Sequence, residues 1–154
     1  MSSFHLHPQL RQDCHEVGRF ELSLLLMMND SAYPWFILVP QRGGLTELYQ
    51  LNDRDRSLWL AESCLLAETM TAMFRPDKLN VAAIGNLVPQ LHIHHIARYR
   101  TDPAWPAPVW GSFRRNPMPA IRWNGASSKC AKLCAVSYWI RNSEKNTSRK
   151  PSGF

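Results

Sequence analysis

The stretch from Asn52 to Phe74 most constrains what this chain can fold into. It contains neither Gly nor Pro, and apolar residues such as Leu58, Leu65 and Ala72 recur at helical spacing. Asn52 is a suitable N-cap, and the acidic residues that follow it suit the positive end of a helix dipole. We therefore predict one long helix that covers one face of a sheet.

Short apolar runs lie on both sides of this helix and are bounded by prolines and turn residues, which is typical of strands. They are Glu21–Met28, Trp35–Val39, Asn80–Ile84 and Gln90–Ala97. The following segment, residues 102–111, contains three prolines, which exclude a helix and a central strand there. Strands, one long helix and more strands predict an α+β fold with an antiparallel sheet.

The charge of the chain is unevenly distributed. A net charge of +6 in a chain of 154 residues suggests a nucleic-acid binder at first sight. Residues 1–110, however, hold nine Lys or Arg against eleven Asp or Glu, whereas residues 111–154 hold nine Lys or Arg against the single acid Glu144. The first part is therefore mildly acidic, and nucleic acid is not the ligand that we predict for it.

We predict a folded domain over residues 1–111 and a basic, poorly ordered tail over residues 112–154. Two origins of the tail stay open: a shifted reading frame, or a genuine extension that binds RNA or acidic partners. Apolar runs fall far short of the ~20 residues of a membrane span, and no secretory signal is visible. We therefore expect a cytoplasmic protein without a membrane partner, whose four cysteines are free thiols.

Three of the six histidines lie close together in the last predicted strand. Because side chains alternate along a strand, His92 and His94 project from one face and His95 from the other. These histidines have three interpretations: hydrogen-bonded sheet residues without chemistry, nucleophilic catalysis at phosphorus, or metal binding. A metal site needs a third ligand, which His5 or His7 could supply if the amino terminus folds back.

Several segments, in their order, resemble the histidine triad (HIT) superfamily. Residues 80–94 read NVAAIGNLVPQLHIH and are similar to the family's motif region. Residues 36–42 read FILVPQR and resemble its apolar strand that ends in Pro and a basic residue. Together with the proline-rich segment, they look like a bacterial branch of HIT-like proteins, over about residues 5–111.

The resemblance implies an α+β fold in which an antiparallel sheet carries one long helix and short helices, assembled as a homodimer. It implies a nucleotide or nucleotide conjugate as ligand and attack on its α-phosphorus by the middle histidine of the motif. Carried over by position, that nucleophile is His94, and His92 supports it. Water then releases the nucleoside monophosphate, and no metal or other cofactor is required.

Four further residues are expected to contact the ligand. The resemblance puts Asn80 and Gln90 near the ribose or phosphate, and Leu38 in the wall of a base pocket. Arg98 follows the histidines on the same strand, and alternation predicts that it shares their face and draws phosphate towards them.

One position departs from the family pattern, because Ile96 stands where the third histidine is expected. His95 does not replace that histidine, since it faces the other side of the strand, and we expect it to be partly exposed or in an interface. Two alternatives to histidine-based nucleotidyl transfer or hydrolysis therefore stay open. One is a non-catalytic nucleotide-binding or regulatory dimer, and the other is a metal-dependent hydrolase that uses His92 and His94.

Overall fold

The computed structural model describes residues 3–111, so the predictions for the tail lie outside the described residues. The strands are β1 (Cys14–Arg19), β2 (Ser23–Met28), β3 (Trp35–Pro40), β4 (Lys78–Ala82) and β5 (Ile93–Arg98). The helices are α1 (Pro8–Asp13) and α2 (Asp53–Phe74), with a short 3-10 helix at Leu48–Gln50. The five strands form one antiparallel sheet in the order β1-β2-β3-β5-β4. The predicted α+β fold is confirmed.

Helix α2 is the predicted long helix. The side chain of Asn52 caps its first turn by accepting a hydrogen bond from the N–H of Asp55 at 2.8 Å. The helix ends at Arg75, whose positive φ of 48° turns the chain out of the helical path. In the described part of the chain, no helix is long and apolar enough to cross a membrane.

The sequence patterns did not predict α1 and β1. Helix α1 has only six residues, and β1 lies at an edge of the sheet with most of its side chains partly or fully exposed. Hydrophobic periodicity is weak where little surface is buried, so neither element produces a recognisable pattern.

Both faces of the sheet are covered, and this buries every residue of β5. On one face, side chains of the central strands pack against α2; they include Phe36, Leu38 and Ala97, with Leu66 and Met70 from the helix. The opposite face carries Trp35, Ile37 and Ile96. The amino-terminal segment (residues 3–10) and the proline-rich segment (residues 102–111) pack on it. The chain thus forms three layers around β5.

His95 lies fully buried between β5 and α2. Its Nδ1–H donates to the carbonyl oxygen of Ile93 at 3.3 Å, so its Nε2 accepts from the hydroxyl of Ser63 in α2 at 2.7 Å. Burial lowers the pKa of His95 to about 4. The expectation of a partly exposed or interface His95 is therefore wrong, because α2 covers this face of the strand.

Removal of the hydrogen bond between Ser63 and His95 tests whether it stabilises the packing of α2 on β5. Ser63→Ala should lower the free energy of unfolding by about 1–3 kcal/mol, because it leaves a buried imidazole nitrogen without a donor. Urea denaturation followed by circular dichroism measures the change. Ser57→Ala, on the exposed side of the same helix, is the matched control and should change stability by less than ~0.5 kcal/mol. Equal effects of the two substitutions would contradict the role of Ser63.

Candidate functional site

His92, which immediately precedes β5, and His94, within β5, form a buried pair of imidazoles. Their ring centroids are 4.9 Å apart, with an interplanar angle of 77°, and the residues are 6% and 5% exposed. The structure therefore brings together the two histidines that strand alternation places on one face. We call His92 and His94 the imidazole pair.

Trp35 fixes the protonation of His94. Its indole Nε1–H donates to Nδ1 of His94 at 2.9 Å, and because an indole nitrogen can only donate, Nδ1 must present its lone pair. Burial, with smaller effects of His92 and His95, lowers the pKa of His94 to about 3, so the ring is neutral near pH 7. Its single proton therefore sits on Nε2, which is a hydrogen-bond donor.

His92 has the opposite tautomer. Its Nδ1 lies 2.7 Å from the carbonyl oxygen of Gln90, which can only accept, so Nδ1 carries the proton and Nε2 keeps a lone pair. Burial lowers the pKa of His92, although the hydrogen bond to Gln90 acts in the opposite direction. The expected role of His94 as a nucleophile requires a lone pair on Nε2. That role conflicts with the Trp35 hydrogen bond, whereas His92 meets the requirement.

Two tryptophans surround His94. Ring centroids lie 5.5 Å apart for Trp35 and His94, 5.3 Å for Trp110 and His94, and 5.8 Å for the two indoles. All three pairs meet edge to face, the arrangement that aromatic quadrupoles favour. Trp110 belongs to the proline-rich segment, which therefore forms part of the site. The packed rings hold His94 in one orientation.

Arg98 does not extend towards a ligand. It is 2% exposed, and its Nε and Nη2 donate to the Asp102 carboxylate at 2.7 and 3.1 Å. Its Nη1 donates to Oδ1 of Asn80 at 2.7 Å, and Nη2 also donates to the carbonyl oxygen of Ala107 at 2.9 Å. Although burial alone would raise the pKa of Asp102, hydrogen bonds from Arg98 and the backbone hold it below its usual value. The prediction that Arg98 draws phosphate is corrected, because it joins the strands to the proline-rich segment.

Asn80 and Gln90 also use their side chains within the protein. Oδ1 of Asn80 accepts from Arg98 as described, which ties β4 to β5. The amide of Gln90 binds the backbone of the amino-terminal segment: Oε1 accepts from the N–H of His7, and Nε2 donates to the carbonyl oxygen of His5, both at 2.9 Å. The expected contact of these two amides with ribose or phosphate stays a prediction.

Leu38 points away from the imidazole pair. In the pairing of β3 with β5 it lies opposite Ile93, whereas Ile37 lies opposite His94. Leu38 is consequently part of the core beneath α2. The prediction that it walls a pocket beside the histidines is corrected, because the register of β3 puts it on the other face.

Sequence reasoning missed Trp35, whose indole donates a hydrogen bond to the imidazole pair, and it considered His7 only as a third metal ligand. The proposed fold-back of the amino terminus does occur, since Gln90 binds residues 5 and 7. Among residues 3–111, however, no group of three or more His, Cys, Asp or Glu residues is arranged to hold a metal ion. The described part of the chain thus gives no support to a metal site.

Comparisons with known proteins point to one family. A model of the HIT domain matches residues 9–101. A search of curated proteins gave no significant match. A histidine triad protein of Marinobacter aquaeolei superposes with a TM-score of 0.84 at 44% identity, over 87% of this chain and 98% of that one. A histidine triad protein of Bradyrhizobium japonicum has a TM-score of 0.84 at 35% identity, over 86% of this chain and 99% of that one. A histidine triad protein of Sinorhizobium meliloti has a TM-score of 0.82 at 35% identity, over 84% of this chain and 96% of that one.

The tautomer of His94 can be tested directly. Trp35→Phe keeps an aromatic ring but removes the only donor group of the indole, so His94 should lose its fixed Nε2–H tautomer. The ¹⁵N chemical shifts of the two ring nitrogens report this change in a long-range ¹H–¹⁵N spectrum. Trp110→Phe is the matched control, because Trp110 touches the same ring by an edge-to-face contact. A tautomer that is unchanged in Trp35→Phe would contradict the assignment.

The structural role of Arg98 gives a second prediction. Arg98→Lys should lower the free energy of unfolding by about 3–5 kcal/mol, because lysine leaves the buried Asp102 carboxylate and the half-buried Asn80 amide incompletely paired. Chemical denaturation measures the effect. Arg100→Lys is the control, since that side chain is 79% exposed. An Arg98→Lys variant as stable as the wild type would restore the possibility that Arg98 serves a ligand.

Proposed function

The chain belongs to the HIT domain family, and on that premise we propose that it binds a nucleotide or nucleotide conjugate and cleaves it at the α-phosphate through a nucleotidyl-histidine. The observation that carries this proposal is the imidazole pair, in which one Nε2 presents a lone pair and the other an N–H. A nucleophile beside a fixed hydrogen-bond donor suits attack on a phosphoryl group.

We propose His92 as the nucleophile, in place of His94. The lone pair on its Nε2 and a pKa lowered by burial favour the neutral, reactive form near pH 7. When Nε2 bonds to phosphorus, the ring becomes positively charged, and the carbonyl oxygen of Gln90 at 2.7 Å from Nδ1 stabilises that charge. The same contact holds the ring in a single orientation during the reaction.

The proposed reaction has two displacements at phosphorus. First, Nε2 of His92 forms a bond to the α-phosphorus while the bond to the leaving group breaks. The leaving group takes the electron pair and, where it is an amine, also a proton from solvent. A water molecule then attacks the phosphorus, the P–N bond breaks, and the electron pair returns to Nε2. The water loses a proton to solvent, and a nucleoside monophosphate is released.

His94 supports both displacements as a hydrogen-bond donor. Its Nε2–H can donate to a phosphoryl oxygen on which negative charge develops, and burial beside two indoles strengthens that interaction. Because Nδ1 is held by Trp35, His94 keeps its proton through the reaction. Its role is therefore charge stabilisation.

With His92 as the nucleophile, the family's motif of alternating histidines is centred on His92. This centre lies two residues before His94, on which the resemblance in the sequence centred it. Gln90, His92 and His94 then occupy the three motif positions, and the departure from the pattern lies at Gln90. Ile96 belongs to the core beside Trp35, with which it pairs across β3 and β5. On this interpretation, Ile96 does not replace a catalytic group.

A non-catalytic nucleotide-binding dimer is the second candidate function. It is favoured by Gln90, which stands at a motif position where the family has a histidine and whose side-chain amide is engaged with the amino-terminal segment. Homodimerisation is part of both proposals. Three exposed apolar residues in and after the edge strand β4 could contribute to a subunit interface: Val81, Ile84 and Leu87.

The two candidates differ in whether a covalent adduct forms. The protein is incubated with an aminoacyl adenylate and with an adenosine phosphoramidate, and the adduct is mapped by peptide mass spectrometry. We expect it on His92. His92→Ala should abolish the adduct and lower turnover by roughly a thousandfold or more, since the nucleophile is lost. His94→Ala should slow turnover by roughly a hundredfold but still form the adduct, because only a stabilising donor is lost.

His5→Ala is the control, since His5 is exposed and its side chain bonds Ser3 rather than the imidazole pair. An adduct on His94 would overturn the assignment of the nucleophile. Nucleotide binding without an adduct would support the non-catalytic candidate. Loss of turnover on addition of a chelator would contradict a metal-independent reaction.

A further inference from the structure

The amino-terminal segment folds back onto the residue that orients His92. The side-chain amide of Gln90 makes two hydrogen bonds of 2.9 Å, accepting from the N–H of His7 and donating to the carbonyl oxygen of His5. The main-chain carbonyl of the same Gln90 accepts from Nδ1 of His92 at 2.7 Å. One residue therefore fixes the position of His7 and the orientation of His92 together.

The ring of His7 has a defined tautomer. His7 caps helix α1, and its Nδ1 accepts from the N–H of Gln9 at 3.1 Å, with Pro8 at the first helical position. In the neutral ring, the proton therefore sits on Nε2, which is a donor. The residue is half-buried, so it retains contact with solvent and can reach a ligand.

The charge of His7 also acts on His92. A positive charge on His7 lowers the pKa of His92, in addition to the larger effect of burial. Charges in water at physiological salt interact over about 10 Å, which agrees with the proximity that the contacts through Gln90 provide. The contacts through Gln90 and this repulsion are thus consistent with a position of His7 on the side of Gln90 and His92.

We propose that His7 is a third imidazole of the site and that its Nε2–H binds a phosphoryl oxygen of the ligand. This inference rests on the proposed nucleotide-binding function. Arg98, Asn80 and Gln90, which the sequence suggested as phosphate or ribose contacts, all bond within the protein. His7 supplies a donor from outside the strand, at the point where Gln90 stands in place of a motif histidine.

Binding measurements test the inference without requiring turnover. Isothermal titration calorimetry gives the Kd of the four common ribonucleoside 5′-monophosphates and of the matching nucleosides. His7→Ala should weaken binding of the preferred monophosphate by about tenfold or more, because a hydrogen bond to a charged phosphoryl oxygen is lost. Binding of the nucleoside, which lacks the phosphate, should stay unchanged. His5→Ala is the matched control from the same segment and should bind like the wild type.

Gln90→Ala tests the route by which His7 reaches the site. It should weaken monophosphate binding as His7→Ala does, and the double variant should bind no more weakly than either single variant. Additive losses would overturn the inference that Gln90 acts by seating His7.

An NMR titration of the histidine rings gives a second readout that needs no ligand. His7→Ala should raise the pKa of His92, because a neighbouring positive charge is removed, whereas His5→Ala should not. An unchanged pKa of His92 in His7→Ala would overturn the placement of the His7 ring.

If the wild type binds no monophosphate, the proposed function fails together with this inference. If the wild type and His7→Ala bind it equally, only the inference about His7 fails.

Discussion

The burial of β5 on both faces is the constraint on which the rest of the site depends. Helix α2 covers one face, and the amino-terminal and proline-rich segments cover the other, so all six residues of the strand are buried. A polar group in such a strand needs a partner. Ser63 supplies one for His95 and Trp35 supplies one for His94. The same burial lowers the pKa of both histidines, so each ring is neutral. The contact at Nδ1 selects the tautomer, with the indole N–H of Trp35 for His94 and the carbonyl oxygen of Ile93 for His95.

The buried ion pair of Arg98 and Asp102 extends this principle to charge. Removing two charges from water is costly, and such a pair contributes more to a defined arrangement than to net stability. Here it attaches the proline-rich segment to β5, and that segment carries Trp110 to the edge of His94. Arg98, which strand alternation predicted to contact a ligand, therefore has a structural role. In the proposed function, the interactions with a phosphoryl group are therefore assigned to imidazoles.

Strand alternation predicted part of the site well, because it depends only on local geometry. It placed His92 and His94 together, and the two rings are neighbours. Alternation cannot say what covers each face, so it left His95 exposed, and the family resemblance likewise put Leu38 in the pocket. Both errors have one cause: the position of α2 and the register of β3 against β5 are set by packing between distant segments.

The sequence by itself determined the class of fold, the long helix, four of the strands and the histidines that form the imidazole pair. Periodicity, capping residues and prolines act over a few residues, so they can be read along the chain. Only the tertiary structure decided which nitrogen of each imidazole carries the proton. Trp35 reaches His94 across 59 positions, and Gln90 reaches His7 across 83. The tautomer of His94 and the seating of His7 depend on these long-range hydrogen bonds, which no local pattern encodes, and the proposal of His92 as nucleophile rests on that tautomer.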